Sequence, residues 1–308
     1  MSNPVSGVLA ALITPIDDRG RVDLNAFERV IEFVIDRGVD GVVIGGGTAE
    51  YPHFALDDRA ALAAHAVQRL KGRGKVIASV GTSSIHSTLE LARRAADAGS
   101  DALLIPMPYF FRYQQQDLAA FCQEVCGSVS TPCFLYNLPS FTNPLDVETA
   151  VELLNTVPNL VGMKDSSGQT ESLAPLAKAR GNGGFSLFVG DDSLLYEALR
   201  AGWDGVVSGI ACFVPELILA VYRSYRAGKV EEAAAWQAAL DAVIDQIVQL
   251  PIPWGVRVGL AARGIPNGPM HVPPSPSRRQ QMEALQKWLG DWAASKNLKL
   301  DEVWSRIG

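Results

Sequence analysis

Residues 76–106 read VIASVGTSSIHSTLELARRAADAGSDALLIP, and they contain the repeating unit of the whole chain. An unbroken apolar run over 76–80 gives way to an amphipathic helical pattern over 87–98. Gly99 then stands where a helix end favours a left-handed residue. A turn containing Asp101 follows, and a second apolar run occupies 102–106. Apolar residues that run on rather than alternate belong to strands buried on both faces. Strand, helix and strand at this spacing imply parallel pairing through right-handed crossovers.

The same unit recurs on both sides of this stretch. Further apolar runs lie at 8–14, 41–44, 133–136, 160–163, 187–189 and 205–207. Helical patterns fill the intervals at 24–36, 59–70, 117–125, 147–154, 172–179 and 194–201. Gly38 and Gly202 end their helices as Gly99 does, each followed by an Asp and the next strand. About eight such units close a (β/α)8 TIM barrel. The open, doubly wound alternative needs a phosphate-binding glycine loop. Gly45-Gly46-Gly47 lacks the third glycine of that fingerprint, and Tyr51-Pro52 follows where a helix is required. After Pro215 helices follow one another without strands, at 217–226, 230–250 and 253–262; a Pro-rich stretch over 266–276 leads to a last helix at 278–294. The expected division is a barrel over 1–215 and a C-terminal helical extension over 216–308. That extension includes the last barrel helix and packs on the barrel.

The chain carries 27 basic and 33 acidic residues, a net charge of -6, interleaved along the helices. With no basic stripe to neutralise phosphates, nucleic acid is not expected as a partner. An anionic small substrate remains compatible, because a local site can be positive inside an acidic protein. Cys122, Cys126, Cys133 and Cys212 are too scattered for a disulfide framework and fit buried thiols in a reducing cytoplasm. Residues 1–8 lack a basic region followed by an apolar core, so no leader is expected. No apolar run is long enough to span a bilayer. His53, His65, His86 and His271 show no metal-ligand spacing, which disfavours a metal-dependent aldolase.

In such a barrel the chemistry sits at the C-terminal ends of the strands. That rim carries Thr14, the Gly46–Glu50 loop, Tyr109, Tyr136-Asn137, Lys164-Asp165-Ser166, Gly190-Asp191-Asp192 and Ser208-Gly209-Ile210. Lys164 directly follows the apolar run 160–163, so its stem is expected in low-dielectric surroundings. There a lysine is more readily neutral, and a neutral amine attacks a ketone carbonyl. The plainer alternative is a rim lysine paired with Asp165 or Asp191. Tyr136 ends the adjacent strand, where a phenol can shuttle protons; an isolated rim tyrosine can equally pack its ring and wet its hydroxyl. Backbone N–H groups of Gly46-Gly47-Thr48 suit a carboxylate. Ser166, two residues past Lys164 on the same strand face, is expected to touch substrate.

The segments Gly46-Gly47-Thr48-Ala49-Glu50, Tyr136-Asn137-Leu138-Pro139 and Gly162-Met163-Lys164-Asp165-Ser166-Ser167-Gly168 resemble, in order and spacing, the signatures of the dihydrodipicolinate synthase / N-acetylneuraminate lyase family. The resemblance covers nearly the whole chain. It implies a tetramer built of tight dimers, Lys164 as the Schiff-base lysine and Tyr136 as the acid/base phenol. It places a pyruvyl carboxylate against the N–H groups of Gly47 and Thr48, and makes Gly190, Gly209 and Ile210 part of the oxo-acid pocket. No metal or organic cofactor is implied, because the protonated imine is itself the electron sink.

The departures narrow the substrate. Gly47 replaces the first hydroxyl residue of the family's pair, and Ala49 replaces a glycine. Phe110 stands where many members carry a second tyrosine that crosses the dimer interface; Tyr109 and Tyr113 are the nearby candidates to replace it. Phe141 stands where the lysine-biosynthetic synthase has an arginine for the carboxylate of aspartate semialdehyde, and Gly209 stands where the sialic-acid lyase has a serine. The expected reaction is aldol cleavage or dehydration of a 2-oxo-3-deoxy sugar acid or a 4-hydroxy-2-oxo acid. His53, Asp191, Asp192 and Ser167 are the candidate distal contacts. The alternatives are the synthase itself, with Arg112 in place of the lost arginine, and a non-catalytic oxo-acid sensor.

Overall fold

The computed structural model describes residues 5–181 and 184–295. The start of the amino-terminal stretch 1–8 and the end of the 216–308 extension lie outside the described residues. The apolar runs form β1 (Gly7–Ala11), β2 (Gly41–Ile44), β3 (Lys75–Ser79), β4 (Ala102–Pro106), β5 (Cys133–Asn137), β6 (Leu160–Asp165), β7 (Ser186–Val189) and β8 (Gly205–Ser208). They pair in parallel in sequence order, and β8 closes on β1. Between them run α1 (Leu24–Ile35), α2 (Leu56–Leu70), α3 (Ile85–Asp97), α4 (Gln115–Gly127), α5 (Val147–Thr156), α6 (Leu173–Arg180) and α7 (Leu195–Arg200). After β8 come α8 (Pro215–Arg226), α9 (Val230–Ile247), α10 (Trp254–Ala262) and α11 (Pro276–Ser295). This is a TIM barrel with additional C-terminal helices. No helix among the described residues is long and apolar enough to cross a membrane.

Strand alternation sorts the apolar residues into two cores. Leu9, Val43, Ile77, Leu104, Phe134, Phe188 and Val207 point into the barrel. Their neighbours face outward, where Val8, Val42, Leu103 and Leu135 meet helix residues such as Phe27, Val30 and Leu118. The glycine–aspartate turns have a structural task. Gly38, Gly99 and Gly202 adopt φ of 84°, 89° and 87°, where a side chain is strained. The Asp two residues on then accepts an N–H from the preceding strand: Asp40 from Val8 at 2.7 Å, Asp101 from Val76 at 2.9 Å and Asp204 from Leu187 at 2.8 Å. Each strand foot is thereby tied to its neighbour at the N-terminal end, away from the rim.

Two strand ends depart from the apolar runs. The run 8–14 outlasts β1: Leu12 still donates to Val43 O, while the Thr14 carbonyl turns to Arg257. Conversely, β6 extends beyond its run to include Lys164 and Asp165. A lysine can sit inside a strand there because its neighbours on both sides leave it room and an apolar floor.

Candidate active site

Tyr136 and Lys164 are register partners on β5 and β6, both pointing into the barrel. Beneath them, Phe134 and Phe188 meet edge to face with centroids 5.9 Å apart. Gly162 makes this possible, since a Cβ there would lie 2.3 Å from the Phe134 ring. The aromatic pair closes the barrel below Lys164, which is 5% exposed. Lys164 Nζ donates to the Tyr136 hydroxyl at 3.2 Å and stands 4.2 Å from the centre of that ring. Neither aspartate proposed as its ion-pair partner fills that role. Asp165 faces the other way and accepts from Asn137, Ser167 and Ser172. Asp191 Oδ1 takes the N–H and hydroxyl of Ser193.

Above the lysine the β7 and β6 ends touch. A Cβ on Gly190 would lie 1.9 Å from Ser166 Oγ and 2.5 Å from Lys164 Cε, so only glycine fits. Ser166 Oγ is buried and has no hydrogen-bond partner among the described residues. The loop after β2 supplies donors to the same space. The carbonyls of Gly46 and Gly47 accept from Ala49 and Glu50, which turns the loop tightly. Among the described residues the N–H groups of Gly47 and Thr48 have no acceptor, as a carboxylate cradle requires. Gly47 lies against Tyr136: a Cβ there would be 3.7 Å from its hydroxyl, an ordinary contact. A Cβ on Gly209 would be 3.1 Å from Thr48 Oγ1, so the β8 end packs on the loop. Gly47, Thr48, Tyr136, Lys164, Ser166, Gly190, Gly209 and Ile210 thus all line one cavity of about 800 Å³.

Asp192 also lines it, buried beside Ser208 and Ile210, and its Oδ1 has no hydrogen-bond partner among the described residues. Burial pushes its pKa up to about 7, against the pull of those two groups and of Lys164. Of the other distal candidates, Ser167 donates to Asp165, and exposed His53 stacks on His271 at 4.4 Å. Burial, His53 and Arg257 hold the His271 pKa down to about 4, so this imidazole is neutral at pH 7. The histidine pair is a juxtaposition that sequence spacing does not reveal. Among the described residues no group of three or more His, Cys, Asp or Glu side chains is placed to hold a metal ion.

Several supporting residues escape a sequence reading. Glu50 takes φ of 55° and pairs with Arg257 at 3.1 Å, both buried. Arg257 also donates to the carbonyls of Thr14, Asn267 and Pro269. One guanidinium from α10 therefore anchors the glycine loop, the end of β1 and the loop before α11. Arg59 donates to the carbonyls of Ser79 and Gly81 and lies 4.9 Å over the Tyr51 ring. Tyr51 in turn meets Tyr109 edge to face at 5.8 Å. Tyr109 lines the cavity, whereas Tyr113 is exposed and does not. Phe110 is 87% exposed with φ of 79°. Phe141 lies at the cavity rim, while Arg112 is exposed and absent from the lining. The far wall comes from the end of α9, the start of α10 and the segment joining them.

The geometry is an amine beside a phenol on a dry floor, facing unpaired N–H donors. The pattern of the Dihydrodipicolinate synthetase family matches residues 4–291. A 4-hydroxy-tetrahydrodipicolinate synthase of Oceanobacillus iheyensis is 30% identical, covering 94% of this chain and 98% of the relative. One from Streptomyces coelicolor is 31% identical, covering 95% and 96%. Among solved structures, the dihydrodipicolinate synthase of Aquifex aeolicus superposes with a TM-score of 0.88 at 27% identity, covering 94% of this chain and 98% of that one. YagE of Escherichia coli K12, a prophage protein of the same family solved in complex with pyruvate, superposes at 0.87 with 26% identity, covering 93% and 98%.

Proposed function

The chain belongs to the dihydrodipicolinate synthetase family, an aldolase and lyase family, and from that premise we propose that it is a Schiff-base-forming lyase acting on a pyruvate-type 2-oxo acid. The observation that carries this reading is the contact between Lys164 Nζ and the Tyr136 hydroxyl at 3.2 Å on an apolar floor. In this reading the Lys164 amine attacks the C2 carbonyl, and Tyr136 moves the proton that converts the carbinolamine to an imine. The substrate carboxylate sits on the N–H groups of Gly47 and Thr48, with Ser166 Oγ as a further donor. Gly190, Gly209 and Ile210 shape the pocket around it. Aldol cleavage or dehydration of a 4-hydroxy-2-oxo acid or a 2-oxo-3-deoxy sugar acid follows from the imine. The resemblance further favours a homotetramer in the cytoplasm, with no metal or organic cofactor.

The synthase reaction is the second reading, favoured by the names of the curated relatives. Against it stands Phe141, together with the lack of any arginine among the described residues lining the cavity. A carboxylate of aspartate semialdehyde would find no guanidinium there. Losing a charge-assisted hydrogen bond of this kind costs about 1.5–3 kcal/mol. Arg112 does not replace it. The oxo-acid sensor is disfavoured by the joint presence of Lys164 and Tyr136.

Exchange of the pyruvate methyl protons in D2O, followed by NMR, tests the lyase reading, because an enamine on Lys164 makes those protons labile. Exchange that disappears in Lys164→Ala and slows in Tyr136→Phe is the expected result. Binding of pyruvate without exchange sinks the enzyme reading in favour of the sensor.

A further inference from the structure

The acceptor end of the cavity differs in character from the pyruvate end. Phe141, Ile247, Val248, Ile252, Trp254 and Val272 line it, drawn from the loop after β5 and from the C-terminal extension. Four of these are large apolar side chains left in solvent: Phe141 is 61% exposed, Val248 58%, Ile252 64% and Val272 57%. Exposed apolar residues gathered at one rim mark a binding surface rather than ordinary scatter. This rim is continuous with the space above Lys164, so a molecule linked to that lysine extends onto it.

Of the polar groups that could serve a sugar chain, Asp191 Oδ1 caps the turn at Ser193 and Ser167 donates to Asp165. His53 presents a ring already stacked on His271. Ser140 is an exposed hydroxyl at the rim. Pyruvate occupies only a small part of about 800 Å³.

Building on the lyase reading, we infer that the acceptor end takes an aromatic group, making the substrate a 4-aryl-4-hydroxy-2-oxobutanoate that is cleaved to an aryl aldehyde and pyruvate. The step balances without a further reactant. Tyr136, left as a phenolate once it has protonated the departing carbinolamine hydroxyl, takes the C4 hydroxyl proton; the C4 oxygen becomes the aldehyde carbonyl, and the C3–C4 bond breaks. Its electron pair enters the protonated imine to give an enamine. Tyr136 returns the proton to C3, and hydrolysis of the resulting protonated imine by water releases pyruvate and free Lys164.

The test compares 4-hydroxy-2-oxo-4-phenylbutanoate with 2-oxo-3-deoxygluconate, reading pyruvate release through lactate dehydrogenase. The native protein is expected to show a kcat/KM at least tenfold higher for the phenyl compound. Val248→Asp and, separately, Ile252→Asp place a charge in the wall at exposed positions where the fold is not at stake. Each is expected to lower the ratio of phenyl to sugar-acid kcat/KM at least tenfold, the range of discrimination one apolar contact gives, roughly 10–200-fold. A parallel borohydride trap with pyruvate separates the two levels of failure. Trapping at Lys164 with preference for the sugar acid, turnover of neither compound, or a ratio unmoved by both variants overturns the aryl assignment alone. A changed oligomeric state in either variant also overturns it, giving the rim to a second copy of the chain. No trapping at Lys164 overturns the lyase reading and this inference with it.

Discussion

Gly190→Ala should uncouple the site from the fold. The added Cβ would lie 2.5 Å from Lys164 Cε and 1.9 Å from Ser166 Oγ. Carbon atoms rest about 3.5–4.0 Å apart, so the lysine stem must shift by about 1 Å and Ser166 by more. Overpacking of this kind costs about 1–3 kcal/mol, which lowers Tm by a few degrees and leaves the barrel folded. A displacement of about 1 Å at a reacting group costs on the order of 100-fold in rate. The rate of imine formation with pyruvate, measured by stopped reduction with cyanoborohydride, should fall by about that factor. Gly47→Ala is the control, because its Cβ would meet Leu138 and the Tyr136 hydroxyl at 3.7 Å, an ordinary distance. It should trap pyruvate within a few-fold of the native rate and melt with it. Native trapping in Gly190→Ala, or equal losses in both variants, would refute the packing argument.

The buried Arg257–Glu50 pair should matter through the loop it anchors. Arg257→Met leaves Glu50 buried without its partner and should destabilise the protein by about 3–5 kcal/mol in urea unfolding, with part of the loss recovered in Arg257→Met/Glu50→Gln. Asp192 should give a pH signature. Its folded pKa of about 7 lies above the ordinary aspartate value of 3.8, so between those values the folded state holds a proton that the unfolded chain releases. Stability from this group is therefore intact below about pH 4 and falls by about 1.4 kcal/mol per pH unit up to about pH 7. Asp192→Asn should flatten that slope in urea titrations at pH 4.5, 6 and 7.5; an unchanged slope would contradict it. Phe141→Arg should create consumption of aspartate semialdehyde with pyruvate that the native protein lacks. If the native protein already consumes it, the exclusion of the synthase reaction fails.

The barrel was legible because its signal is redundant. Eight apolar runs and three glycine–aspartate turns each point to the same parallel pairing, and the turns proved to carry a backbone-to-carboxylate tie as well. Lys164 and Tyr136 were legible because both follow apolar runs, and a strand continues its alternation past the point where its composition changes. Ser166 followed from the same period of two. The shape of the cavity was not legible. The reason Gly190 and Gly162 must be glycine is a contact across strands, with Lys164 and Ser166 in one case and Phe134 in the other. Arg257 looks like any arginine on an amphipathic helix until the chain brings it to Glu50, 207 positions away. The far wall was hidden for the same reason. Val248 and Ile252 lie at a helix end and in a Pro-rich connection, where periodicity says nothing about direction. His53 and His271 share no spacing, and only the return of the loop before α11 stacks them.

The central claim is that Lys164 forms an imine with a 2-oxo acid. Incubation with pyruvate and borohydride, followed by peptide mass spectrometry, reads it directly. A reduced pyruvyl adduct on Lys164, absent from Lys164→Ala, is the predicted result. An unmodified Lys164, under conditions that label the synthase of a curated relative, would contradict the account.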